Sequence, residues 1–164
     1  MIEVDIEVED ETWRSPGVSL ETSVRAAVEL ALENETSGAV TVLLTSNDVV
    51  QELNRQFRGK DSPTNVLSFP ATPTAKPHLG DIALAYGVCA NEARDQGKSF
   101  ERHVQHLAAH GALHLIGYDH LSEDEAVVME DKERAIMARL GGGDPYEVVS
   151  SAAPPIVEDQ HGDV

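Results

Sequence analysis

Residues 110–120 read HGALHLIGYDH. Three histidines lie in this one stretch, and two of them, His110 and His114, are four apart. On a helix that spacing puts both imidazoles on one face, with Cβ atoms roughly 5–6 Å apart. Two rings so placed can converge on one cation at about 2.0–2.1 Å each. Gly117 then closes the helix and lets the chain reverse, and Tyr118 and Asp119 carry His120 back toward the helix end. Three nitrogens from two directions define three corners of a tetrahedron. The fourth corner is left for solvent, as in a catalytic rather than a structural zinc site.

Other histidines compete for the role. His106 lies four before His110, so spacing alone leaves 106 and 110 open as the helical pair. The returning loop begins three residues after His114 and reaches that turn, which favours 110 with 114. His106 then reads as a core residue or as a support for a ligand. His103 and His161 read as surface histidines, and His78 as a loop residue without a role.

Working outward, the helix that carries the pair runs from about Phe100 to Ile116, and a shorter one before it spans Cys89 to Gln96. Ser122 and Glu125 form a capping box that opens a last helix reaching Leu140, where three glycines stop it. At the other end, IEVDIEVE (2–9) alternates strictly, as in a strand with one solvated face. A turn at Ser15–Gly17 follows, then a helix over about 19–34 with Val24, Ala27, Val28 and Ala31 in register. AVTVLLTS (39–46) is too apolar for an exposed edge strand. Asn47 is positioned to cap the helix DVVQELNRQF (48–57), whose Val49, Val50, Leu53 and Phe57 form one stripe. The Pro- and Gly-rich stretch 58–81 holds a short strand, NVLSF (65–69), and leads into another, DIALAY (81–86). The order β-α-β-α-β-β-α-α-α predicts an α+β domain with a small mixed sheet. Residues 147–164 lack periodicity and read as a disordered acidic tail.

The chain has 164 residues and 41% hydrophobic content, which suits one packed domain. One cysteine, Cys89, allows no intrachain disulfide. The acidic, alternating N-terminus is no signal peptide, and no apolar run reaches membrane length, so a cytoplasmic protein without a membrane partner is expected. The net charge is -17. That argues against a polyanionic partner, but the charge is uneven. Residues 1–35 carry ten acids against two arginines, whereas residues 50–110 carry seven bases against six acids. The middle of the chain is where an anion meets least repulsion, and the overall acidity favours delivery through a protein partner.

The residue after His110 bears on the reaction. The zinc-protease pattern H-E-x-x-H places a general-base glutamate there. Gly111 cannot take a proton, and it leaves the metal face of the helix open to a bulky substrate on this reading. A bound metal can instead lower the pKa of water from about 15.7 toward 7 without a carboxylate base. Asp119 is the candidate to orient a ligand imidazole through its far nitrogen, the alternative being a turn-forming aspartate.

HGALHLIGYDH, LNRQFRGKDSPTNVLSF (53–69), LGDIA (79–83), MEDKERAIMARLG (129–141) and DPY (144–146) together resemble the YbeY family of bacterial endoribonucleases. The likeness covers about residues 1–146, with 147–164 outside it. It implies an α/β sandwich: a mixed four-stranded sheet packed with about five helices, including a metal-bearing helix like that of zinc hydrolases. It implies a zinc-dependent, single-strand-specific endoribonuclease acting in 16S ribosomal RNA 3′-end maturation and ribosome quality control. The implied partners are ribosomal RNA and the small subunit or its assembly factors. By this likeness His110, His114 and His120 are the zinc ligands, His110 also serves catalysis, and Arg58 is the functional arginine.

The chemistry is compatible, since a guanidinium can grip two phosphoryl oxygens while zinc polarises a third. Lys60 and Arg55 lie near enough in sequence to contact phosphate as well. Thr64 and Asn65 are expected to set the entry to the NVLSF strand, and Asp81 to be structural. Two other readings compete. In a non-catalytic assembly factor the metal would only pin the loop 117–120, and a zinc peptidase lacks its glutamate.

Overall fold

The structure is a computed structural model, and it describes residues 1–14 and 20–146. The alternating N-terminal segment forms β1 (Ile2–Val8), with Val4 buried and Glu3, Asp5 and Glu7 exposed. A 3-10 turn (Glu11–Arg14) leads to α1 (Leu20–Ala31), whose Leu20, Val24, Ala27 and Val28 are buried. Then come β2 (Gly38–Thr45), α2 (Asn47–Arg58), β3 (Val66–Pro70), a short 3-10 turn (Pro73–Ala75) and β4 (His78–Ala85). Three helices finish the domain: α3 (Tyr86–Gln96), α4 (Phe100–Leu115) and α5 (Glu123–Arg139). The expected element order is observed, and so is the α+β class.

The sheet order is β1-β2-β4-β3. β1 runs parallel to β2 and β2 to β4, while β3 is antiparallel to β4. The apolar β2 therefore lies inside the sheet, as its composition requires. The edge strand β3 has little open backbone. At β3, Val66 N donates to Asn65 Oδ1 at 2.6 Å, Arg58 Nη2 donates to Ser68 O, and Pro70 has no N–H to offer.

The α4 helix lies on one sheet face against β3 and β4, flanked by α1, α3 and α5. Every residue from His103 to Leu113 is buried, because neighbours surround the helix. The main core joins Val24, Val28, Val42, Leu84, Val104, Ala108, Leu113 and Met129. The opposite face holds a smaller cluster of Val50, Leu67, Ala83 and Ala85 under α2.

Four local expectations are corrected. Ser46, not Asn47, caps α2, accepting from Val49 N at 3.3 Å. Asn47 is instead the first helical residue, and its Oδ1 accepts from Val88 N at 3.0 Å, tying α2 to α3. The α2 stripe is only partly used: Val50 is buried, but Val49 is 38% and Phe57 63% exposed, since the small cluster beneath ends short of them. Helix α3 begins at Tyr86, directly out of β4, and not at Cys89. His78 is the first residue of β4 and not part of a loop, with Nε2 3.1 Å from Asp81 Oδ1. The expected turn at residues 15–17 and the tail at 147–164, with His161, lie outside the described residues.

Candidate metal centre

The centre is built at the C-terminal end of α4, and the local sequence explains how that end is shaped. Gly117 takes φ +104, a left-handed conformation that glycine adopts without a Cβ penalty. Its N–H donates to His114 O at 3.1 Å, and Tyr118 N–H donates to Leu113 O at 3.1 Å. This pair of bonds is a Schellman close, and it turns the chain back over the last helical turn. Asp119 Oδ1 then accepts from His120 N at 2.8 Å, fixing the return.

These features bring His110, His114 and His120 together. Their ligand-type nitrogens lie within 4.8 Å of one another. The ring centroids of His110 and His114 are 4.8 Å apart, those of His114 and His120 5.2 Å, and those of His110 and His120 5.7 Å. His110 is buried, and the other two are half-buried toward the protein surface. His114 Nε2 is buried and has no hydrogen-bond partner, a costly state for an imidazole nitrogen unless a ligand takes it up. Burial, followed by the charges of His110 and His120, pushes the His114 imidazole down to about 4, so it is neutral near pH 7. A neutral imidazole is the form that binds a metal. The donor set therefore fits a divalent ion. Among the described His, Cys, Asp and Glu side chains, these three alone group in this way.

Glu133, on α5, was not anticipated. Its carboxylate is fully buried, and Oε2 accepts from His110 Nδ1 at 2.8 Å. This bond fixes the tautomer of His110 and leaves Nε2 to face a ligand. The other oxygen, Oε1, faces His106 Nε2 and the Tyr146 hydroxyl. Burial pushes the Glu133 carboxyl up, but the charge of His106 and the hydrogen bonds from His106 and His110 outweigh it and hold it below the usual carboxylate range. The signal in the sequence was an acid within the stripe Met129, Glu133, Ile136 and Met137, at helical spacing and otherwise apolar.

The supporting carboxylate thus differs from the expected one. Asp119 makes the backbone bond of a turn-forming aspartate, whereas the ligand imidazole is oriented by Glu133. His106 turns its Nε2 to Glu133, and the helical histidines that group with His120 are 110 and 114. His103 is not on the surface: it is buried, with Nε2 2.9 Å from Glu92 Oε1. Gly111 does not open a substrate face either. A Cβ there would lie 2.9 Å from Ser68 Oγ and 3.1 Å from Ile82 Cγ2, so the glycine is what lets α4 lie close on the sheet.

Arg58 is the last residue of α2 and is exposed. Its guanidinium donates to Ser68 O and sits 5.4 Å from the centre of the Phe69 ring. Ser68 Oγ in turn donates to Gly111 O at 3.0 Å, beside His110. The arginine is thereby moored to the strand that touches the metal helix. Phe57 packs its ring edgewise on Phe69 at 5.5 Å and leaves its outer face to solvent. Lys60 is exposed just beyond Gly59, with its backbone N–H bonded to Asn54 O at 3.2 Å. Arg55 is engaged by Glu52 on its own helix. Asn65 enters β3 as expected, capping Val66 N, while its Nδ2 donates to Glu92 Oε1 at 3.0 Å.

Comparison with known proteins finds relatives over most of the chain. A family model described as "Endoribonuclease YbeY" matches residues 5–141. A protein named Endoribonuclease YbeY from Rhodopseudomonas palustris is 50% identical over 152 residues, covering 87% of this chain and 80% of its own length. Another of that name from Maricaulis maris is 49% identical over 146 residues, covering 87% of this chain and 91% of its own length. The solution structure of TM1509 from Thermotoga maritima superposes with a TM-score of 0.58 at 25% identity, covering 93% of this chain and 100% of its own.

Proposed function

The chain belongs to the YbeY family of endoribonucleases, and on that premise we propose that it cleaves single-stranded ribosomal RNA at a zinc ion held by His110, His114 and His120. The observation that carries this reading is the convergence of three imidazoles, one of them with its proton held on the far nitrogen by a buried carboxylate. Three histidines with an open fourth position are the donor set of a catalytic zinc, and imidazole suits that ion. When bound, it supplies Lewis acidity toward a phosphoryl oxygen and toward water.

The chain's own residues supply the rest. Arg58, an exposed residue, is tied to Ser68 O on the strand whose Ser68 Oγ meets the backbone of the histidine helix, and it grips the non-bridging oxygens of the scissile phosphate in bidentate fashion. Lys60 adds charge toward a neighbouring phosphate. Phe57 presents an open ring beside Arg58, and a base next to that phosphate stacks on it. Glu133 does not act as a base, because both of its oxygens are engaged by donors. The proton on His110 Nδ1 stays there throughout.

Such a site cuts RNA that is single-stranded, since only unpaired bases can splay onto an aromatic face. Maturation of the 16S 3′ end and quality control of the small subunit, in the cytoplasm, are the settings that fit it. The surrounding acidity implies that the subunit or its assembly factors bring the enzyme to RNA. Among the described residues no helix is long and apolar enough to cross a membrane. The test is cleavage of a single-stranded RNA spanning a 16S 3′ end by metal-free and zinc-loaded protein. Equal cutting by both forms would overturn the proposal.

A further inference from the structure

Residues 144–146, which follow α5, form a strap that is fastened at three points. Arg134 Nε donates to both carboxylate oxygens of Asp144 at 3.2 Å, and Asp144 Oδ1 accepts from Tyr146 N at 2.8 Å. Lys98, from the turn before α4, donates to Pro145 O. The Tyr146 ring stands edge-on to His106 at 5.2 Å, under the Arg134 guanidinium at 5.2 Å, and its hydroxyl donates to Glu133 Oε1.

From there the contacts run inward without a gap. Tyr146 and His106 meet one oxygen of Glu133, and His110 Nδ1 meets the other. A carboxylate with no solvent contact has no water to replace a lost donor, so its orientation depends on these three. Whatever fixes the carboxylate fixes the plane of the His110 ring, and with it where Nε2 points.

We propose that Tyr146 is a positioning residue for the metal centre: through Glu133 it holds His110 in its ligating orientation, so that docking of the strap at 144–146 tunes metal affinity. This rests on the reading of the three histidines as the ligand set. Tyr146 touches neither ion nor substrate, and it acts at one remove from the ligand. Loss of a direct partner of a ligating imidazole costs about 10–100-fold in metal affinity, and Tyr146, one step further out, is expected at the lower end.

The test uses full-length protein and two readouts that do not involve RNA: zinc affinity by chelator competition, and the visible spectrum of the cobalt-loaded protein. Tyr146→Phe keeps the ring against His106 and removes only the hydroxyl. It is expected to weaken zinc by about tenfold and to change the cobalt bands. Glu133→Gln is expected to weaken zinc by about 100-fold where it folds. Asp144→Asn, which loosens the strap without touching Glu133, is expected to shift affinity in the same direction by less. If Tyr146→Phe lowers the melting temperature while its zinc affinity stays within twofold and its cobalt spectrum is unchanged, the role is structural and the proposal falls. If the unmodified chain binds neither ion, the ligand assignment itself fails and takes this inference with it.

Discussion

Glu133 and His110 are 23 residues apart in sequence and 2.8 Å apart in space, joined by a hydrogen bond inside the core. The bond decides which imidazole nitrogen faces outward. It also separates two jobs within one cluster of side chains: Glu133 holds a proton in place, and His110, His114 and His120 present lone pairs.

Removing a ligand and removing the arginine have different signatures. His114→Ala is expected to lose bound metal and with it nuclease activity, by at least about 100-fold. Arg58→Ala is expected to keep its metal and lose about 10²–10³ in kcat, the usual effect of deleting one transition-state donor. Metal content by elemental analysis, measured beside RNA cleavage, separates the two. Loss of metal from Arg58→Ala would mean that the arginine serves the fold.

Acid weakens the metal-free protein through His114. Its folded value, about 4, lies below the unfolded value near 6.5, so the unfolded chain binds more protons between these limits. The stability contribution is therefore complete above about pH 6.5 and is lost as the pH falls toward 4. Urea midpoints of metal-free protein should drop across that window, and less steeply in His114→Asn. A slope unaffected by the substitution would assign the effect to other groups.

Installing the protease glutamate should not create a peptidase. Gly111→Ala already forces Ser68 or Ile82 to yield and is expected to cost about 1–3 kcal/mol as overpacking. Gly111→Glu must also bury a carboxylate against the sheet, and is expected to unfold more readily still or to accumulate in insoluble form. Thermal melts report both, and a Gly111→Glu protein as stable as the parent would refute the packing account.

Phe57 separates binding from folding. Because its outer face is exposed, Phe57→Ala is expected to change stability by less than about 1 kcal/mol. Losing one stacked base should raise KM for single-stranded RNA by about tenfold while kcat holds. Unchanged KM would remove Phe57 from the substrate path.

Much of this was legible in the chain because it is written in local periodicity. Strict alternation in 2–8 and the glycine after His114 needed no knowledge of distant neighbours, and β1 and the end of α4 followed. The three histidines could be grouped because a helical turn and a short loop connect them. What escaped depends on contacts across the fold. Whether Glu133 or Asp119 supports His110 turns on how α5 lies against α4, and nothing near Asp119 in sequence reveals that. His103 looks solvent-facing beside Glu101 and Arg102, yet α3 brings Glu92 over it. Gly111 read as open space, because the sheet beneath it is formed by residues some 30 to 45 positions earlier. Asn47 lost its expected role to Ser46, one position away, once α3 offered its side chain a donor.

The margins of the sheet carry a consequence for the protein at high concentration. Along β3 one amide is occupied by a neighbouring amide side chain, one carbonyl by Arg58, and one position has no amide hydrogen at all. Along β1, three carboxylates stand at every second residue, so two copies brought side by side repel. Neither rim is a template for another strand, and the molecule is guarded against the strand-by-strand polymerisation to which open sheets are prone.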